Sequence, residues 1–301
     1  MSGLPVPRTA AGRAGFAAML RDPGRALIAL DFDGTLAPIV ADPAAARAGP
    51  AAVSALRRLA PLAGTLAIIT GRPALDAVEY GQFGLVPGLI VLGHYGRERW
   101  QAGTLTAPPA SPAVASARRE LPAVLAAAGA PDGTWTEDKG DAVAVHTRRA
   151  ARPAEALETL RGPLARLAAR TGLVVEPGKF VIELRPDGAD KGAALKDLAA
   201  KRRPGSALFC GDDLGDEPAF RAVRELRAAG IPGLTVCSGS AEATGLAAEA
   251  DLVVPGPDGV AALLSSLAAA FAAGTESAAG GESAAGTGAV RAQGELGREG
   301  G

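Results

Sequence analysis

The chain has 301 residues, enough for one large α/β domain or two modest bodies that each bury a core. Its formal net charge is −1 and acids balance bases along most of its length, which argues against nucleic acid and anionic membranes as partners and leaves an anionic ligand to local chemistry. Two cysteines and two histidines exclude a disulfide framework and argue against a zinc site.

Met1 to Arg25 holds prolines and arginines without an apolar run of signal-peptide length, and no stretch approaches transmembrane length, so a soluble, cytoplasmic monomer is expected. Leu27 to Leu30 reads as a buried strand ending on Asp31-Phe32-Asp33-Gly34-Thr35. A helix over Ala51 to Ala60 follows Pro50, and Leu66 to Ile69 forms a second strand ending on Thr70-Gly71-Arg72. Leu89 to Leu92 is a third strand. After the Pro-rich stretch Ala107 to Pro112 the character changes: helix Ala113 to Ala128, hairpin Gly133 to Lys139 with Ala142 to Arg148, helix Pro153 to Arg170, hairpin Leu173 to Glu176 with Phe180 to Arg185. The first pattern then resumes with helix Lys191 to Lys201, strand Ala207 to Cys210 ending on Gly211-Asp212-Asp213, helix Asp216 to Ala229, and strands Leu234 to Cys237 and Leu252 to Val254. The two cysteines, Cys210 and Cys237, fall inside these apolar runs, where a small buried side chain is the ordinary role.

Apolar strands alternating with helices predict a doubly wound, Rossmann-like parallel-sheet α/β core, interrupted by a small α+β domain. The expected division is core over 1–107, inserted domain over 108–186, core again over 187–273, and a tail over 274–301. That tail is Gly, Ala, Ser and Glu with almost no large apolar side chain, so disorder is expected there.

Polar clusters follow the buried strands, and the carboxyl edge of an open α/β sheet is where ligands bind. A carboxylate at Asp31 can attack phosphorus, while Asp33 can protonate a leaving alkoxide and later activate water. Thr70 and the Gly71 N–H offer contacts to a phosphate oxygen, and Lys191 at a helix start can neutralise another. A carboxylate nucleophile and a phosphate dianion repel, which calls for a divalent cation between them. Magnesium suits the oxygen donors Asp31, the Asp33 carbonyl and Asp212, with Asp213 as a supporting acid.

Asp31-x-Asp33-Gly-Thr, Thr70, Lys191 and Gly-Asp212-Asp213 together resemble the signature of the haloacid dehalogenase superfamily of phosphatases, over residues 26 to 260. The resemblance implies Asp31 as nucleophile, Asp33 as general acid/base and an inserted α+β cap. Glu137-Asp138-Lys139, Val145-His146-x-Arg148 and Gly178-Lys179-x-x-Ile182-Glu183-x-Arg185-Pro186 further resemble the cap of the trehalose-6-phosphate phosphatase family. That resemblance implies a sugar phosphate as the small-molecule partner, with Glu137, Lys139 and Glu183 on its sugar and His146, Lys179 and Arg148 beside them. Strand periodicity by itself favours a solvated outer face for these cap residues. The sequence departs from the family at Gly93-His94-Tyr95-Gly96, where histidine stands one position early, and at Gly215, where threonine is usual. Rival expectations are a related phosphatase acting on sucrose phosphate or a mannosyl-phosphoglycerate, a phosphosugar mutase, and an inactive phosphosugar-binding module.

Overall fold

The structure, a computed structural model, describes residues 4–40, 42–109, 111–178, 180–239 and 244–285. In chain order the core begins with α1 (Ala10–Arg21), β1 (Ala26–Leu30), α2 (Pro50–Leu59), β2 (Thr65–Ile69), α3 (Ala74–Gly81), β3 (Ile90–Gly93), β4 (Glu98–Gln101) and β5 (Thr104–Thr106). A second body follows: α4 (Pro112–Ala127), β6 (Trp135–Asp138), β7 (Val143–His146), α5 (Pro153–Thr171), β8 (Leu173–Gly178) and β9 (Val181–Pro186). The core is then completed by α6 (Lys191–Arg202), β10 (Ser206–Gly211), α7 (Glu217–Ala228), β11 (Gly233–Gly239), α8 (Thr244–Glu249), β12 (Leu252–Pro255) and α9 (Gly256–Ala285).

The core sheet runs β12-β11-β10-β1-β2-β3-β4-β5, parallel from β12 to β3 and antiparallel through β4 and β5. Every residue of β1 is buried because both faces are covered. Ile28 and Leu30 pack with Phe16 and Met19 of α1, Leu56 of α2 and Phe271 of α9. Leu27 and Ala29 face the other way, onto Leu195 of α6 and Phe220 of α7. The six apolar runs expected as strands are β1, β2, β3, β10, β11 and β12, and the doubly wound core holds. The hairpin β4–β5 was not expected; it carries Arg99 and Gln101 between short apolar positions, a pattern that pairing with β3 stabilises and local propensity does not.

The second body is a four-stranded antiparallel sheet, β6-β7-β9-β8, with α4 and α5 on one face. Val143, Val145, Ile182 and Leu184 point onto Leu121, Leu160, Leu164 and Leu167. Alternation therefore turns Glu137, His146, Glu183 and Arg185 to the opposite face.

Two expectations are corrected. By length and composition the segment Gly256–Thr275 of α9 is apolar enough to cross a membrane. Val260, Leu263, Leu264, Leu267 and Phe271 spend that apolarity on the core, as an amphipathic core helix does. The tail expected to be disordered from Gly274 is helical as far as Ala285, where the alanine-rich sequence favours continuation of α9. The rest of that tail, 286–301, lies outside the described residues.

Candidate active site

Strands β1, β2 and β10 are parallel neighbours, so their carboxyl ends bring Asp31, Thr70 and Asp212 to one edge. Gly34 lets the chain turn back there. Its φ is 73°, and a Cβ would lie 1.9 Å from Asp212 Oδ2, so only glycine permits both the backbone and the approach. From β11, the buried Ser238 hydroxyl donates to the Gly34 carbonyl at 2.7 Å and fixes the turn.

Lys191 is the first residue of α6, whose N-terminus is capped by Asp190 accepting from Ala193 N at 2.7 Å. The lysine is 6% exposed. Its Nζ lies 2.7 Å from Asp31 Oδ1 and 2.7 Å from Asp216 Oδ1. Asp216 also accepts from Asp212 N at 2.9 Å through its other oxygen, which ties the acidic loop to the lysine. Burial would lower the Lys191 pKa, but Asp216 and Asp31 raise it well above the ordinary value, so it is a permanent cation.

Asp31, Asp212 and Asp216 offer oxygens within 4.8 Å of one another, all buried. Burial pushes the Asp31 carboxyl well above the usual range, with Lys191 opposing and Asp216, Asp212 and Asp33 reinforcing. Burial and repulsion from Asp216 and Asp213 push Asp212 up to about 8. One lysine is too little cation for three buried carboxylates, and the donors are hard oxygens, so the residues fit a divalent cation such as magnesium. Asp213, expected as the supporting acid, is exposed and instead caps its own turn by accepting from Gly215 N at 2.9 Å. The third buried carboxylate is Asp216.

Thr70 is buried, and its Oγ accepts from Arg72 N at 3.2 Å. Arg72 grips Asp33 with both arms, Nε to Oδ2 and Nη2 to Oδ1, each 2.7 Å. Tyr95 completes this loop. Its N–H donates to the Thr70 carbonyl at 2.9 Å, and its backbone is left-handed at φ 58°. A Cβ on Gly71 would fall 2.7 Å from the Tyr95 hydroxyl, so glycine admits the phenol. Burial and the nearby Glu183 raise the Tyr95 pKa. The Arg185 guanidinium lies over its ring, 4.8 Å from the centroid. His94 is buried one position earlier, 3.7 Å from Glu98, so the departure at this turn exchanges a histidine for a tyrosine against the loop.

The polar face of the second sheet looks toward this edge. Register sets Glu137, Ala144, Glu183 and Glu176 in one row across the strands. Lys139 Nζ donates to Glu183 Oε2 at 2.6 Å, and Glu183 is 5% exposed. Its other oxygen is buried and has no hydrogen-bond partner among the described residues. Glu137 shares a 2.8 Å hydrogen bond with His146, which lowers the Glu137 pKa, and His146 stacks on Trp135 at 4.4 Å. The solvated face that periodicity favoured is thus corrected: Glu183 and His146 are buried because this face turns inward to the core. Arg148 lies beyond the end of β7 and reaches the Val40 carbonyl of the core at 3.3 Å. Lys179 lies outside the described residues.

Four residues of this site had no role in the sequence reading. Asp216 had a readable signal, a carboxylate one helical turn after Asp212 in the same loop. Arg72 was visible beside Thr70-Gly71, but its partner Asp33 is distant in sequence. Tyr95 was hidden in a departure from the family's turn, and Ser238 carries no signal on an apolar strand.

A doubly wound sheet with an Asp-x-Asp-Gly turn after its central strand and an inserted α+β cap has the fold of the haloacid dehalogenase-like hydrolases. One such hydrolase, from Bacteroides thetaiotaomicron, shares the fold with a TM-score of 0.58 at 17% identity, covering 79% of this chain and 97% of that one. Residues 29–251 match the family model described as trehalose-phosphatase, and the chain belongs to that family. The trehalose-phosphate phosphatase of Mycobacterium avium (strain 104) is 37% identical over 219 residues, 67% of this chain and 52% of that protein. The chain spans about half the length of the curated relatives it matches. The C-terminal domain of C. albicans trehalose-6-phosphate phosphatase superposes with a TM-score of 0.72 at 24% identity, covering 89% of this chain and 99% of that one.

Proposed function

We propose that this protein hydrolyses trehalose 6-phosphate to trehalose and phosphate through an aspartyl-phosphate on Asp31. The observation that carries the reading is the buried contact of Lys191 with Asp31, a nucleophile and a phosphate-binding cation held 2.7 Å apart. An ammonium has three N–H donors. Two are directed to Asp31 and Asp216, and the third is available to a phosphoryl oxygen.

Asp31 attacks phosphorus, the bond to the sugar oxygen breaks, and Asp33 gives that oxygen its proton. Asp33, now a carboxylate, takes a proton from the water that attacks the aspartyl-phosphate, which releases phosphate and restores Asp31. Thr70, the Gly71 N–H and Lys191 hold the non-bridging oxygens while charge redistributes. Asp31, the Asp33 carbonyl and Asp212 would hold the magnesium ion, which when bound offsets the negative charge between carboxylate and phosphate. Asp216 keeps Lys191 aimed.

The sugar is read by the cap. Glu183 has a buried oxygen without a partner among the described residues, and Glu137 and Lys139 stand beside it, a mixed set suited to sugar hydroxyls. The cap over 108–186 closes on the core while phosphoryl transfer excludes water, and opens for hydrolysis and release. Release of phosphate from a panel of trehalose, sucrose and glucose 6-phosphates and mannosyl-phosphoglycerate tests the proposal. Trehalose 6-phosphate is expected to exceed glucose 6-phosphate by about a hundredfold or more in kcat/KM, the cost of two buried polar groups left unpaired. Efficient turnover of sucrose phosphate with none of trehalose 6-phosphate would reassign the substrate, and no release from any would favour a binding module.

A further inference from the structure

Asp33 has an unusual environment for a group that must deliver a proton. Its side chain is 43% exposed, yet both of its oxygens are taken by Arg72. Among the described residues no other group donates a hydrogen bond to that carboxylate. Arg72 itself is fixed from several sides: Nη2 donates to the Pro43 carbonyl at 2.9 Å, and the guanidinium lies 5.3 Å from the Phe32 ring centroid and 5.5 Å from that of Tyr80. It is 13% exposed, and the charge of Glu137 on the cap bears on it as well. The half-exposed carboxylate is thus aimed by a less exposed, well-anchored cation.

We infer that Arg72 is a positioning residue for Asp33: it holds the carboxyl through one oxygen while the other turns to the leaving oxygen of the substrate. This rests on the reading of Asp33 as the acid for the first step. As the P–O bond breaks, its electron pair goes to the departing oxygen, which takes the Asp33 proton. Arg72 stays on the remaining oxygen throughout. A general acid must lie within hydrogen-bond reach of the atom it protonates, and a half-exposed aspartate without its anchor would spread over several rotamers.

The role is separable from simple support of the fold by the leaving group. A benzyl alkoxide needs the proton, whereas 4-nitrophenolate leaves well without one. The two esters are alike in size, and neither carries a sugar for the cap to read. With magnesium present, Arg72→Met in the full chain should lower kcat/KM for benzyl phosphate by about 30-fold or more, a good part of the usual contribution of a general acid. For 4-nitrophenyl phosphate the loss should be under about 3-fold, since phosphoryl transfer to Asp31 does not then need the acid. Arg72→Lys should recover part of the benzyl phosphate rate, and Arg72→Gln, which keeps a donor and much of the volume, should show the same split if the methionine variant does not fold. Equal losses on the two esters, or a gain on either, would overturn the assignment of Arg72. Asp33→Asn is the control: if it shows no split between the esters, the acid role of Asp33 itself fails and the inference with it.

Discussion

The catalytic edge of the core and the inward face of the cap are both buried polar surfaces, but they are built on opposite principles. At the core edge each functional group is delivered by the end of its own strand or helix, and opposite charges touch: Lys191 lies 2.7 Å from both Asp31 and Asp216. On the cap Glu137, Glu183 and Glu176 come from positions within strands, set in a row by register, and Glu183 is left with one buried oxygen without a partner among the described residues. A tight cluster of touching charges suits a ligand that is always the same, such as the proposed phosphate. An incompletely satisfied face suits a ligand that must be told from its relatives, because the missing bond is supplied only by the right one.

The core edge depends most on Asp31. Asp31→Asn should reduce turnover by about 10⁴-fold or more on every ester while the chain stays folded, and a variant retaining a tenth of the activity would remove Asp31 from the role. Asp216→Ala should come next. It leaves Lys191 with one carboxylate and the Asp212 N–H unpaired, at about 3–5 kcal/mol of stability by urea unfolding. A loss below about 1 kcal/mol would mean the core cluster is not the tight charge network described. Glu183→Ala should lower kcat/KM by about 10- to 100-fold on trehalose 6-phosphate and far less on 4-nitrophenyl phosphate. Equal losses on both would make the cap face structural, and the contrast with the core would disappear.

A smaller effect separates the two regions by pH. Asp212 is pushed up to about 8 in the folded chain, so between its unfolded value near 4 and that point the folded state binds more protons than the unfolded one. Stability contributed by this group therefore falls as pH rises through that window. A divalent cation, binding the folded carboxylates, should offset the fall. Melting temperature measured against pH with chelator and with magnesium should diverge as pH approaches 8, and parallel curves would argue against a cation at Asp212. The smallest effect is expected from ending the chain after Thr275, four residues past the buried Phe271 of α9. Melting should shift by no more than a degree or two.

The difference between the regions also explains what the sequence made legible. Asp31, Thr70, Lys191 and Asp212 stand next to the strand or helix end that positions them, so a local pattern suffices. The burial of Glu183 was not readable, because it depends on which face of the cap sheet meets the core, and alternation gives the two faces without saying which is covered. Arg72 and Asp33 were both in view, yet their pairing joins the ends of two strands. Asp213 and Asp216 look alike in sequence. The 3₁₀ turn Leu214–Asp216 decides between them by turning Asp216 inward and leaving Asp213 at its cap.

The central strands have a consequence for how the molecule is made. β1 pairs with β10 along its whole length, Ala26 opposite Ser206, although the entire cap sequence lies between them. Such a pairing is among the slowest to form, since the intervening chain must be gathered before any contact rewards it. The cap shortens that search. Two of its strand pairings, β6 with β7 and β8 with β9, join near neighbours, so it can condense early and draw the two flanks of the core together. Asp31 and Lys191 meet only when those flanks close, so a chain still emerging from synthesis would hold the proposed sugar-reading face before the proposed nucleophile was in place.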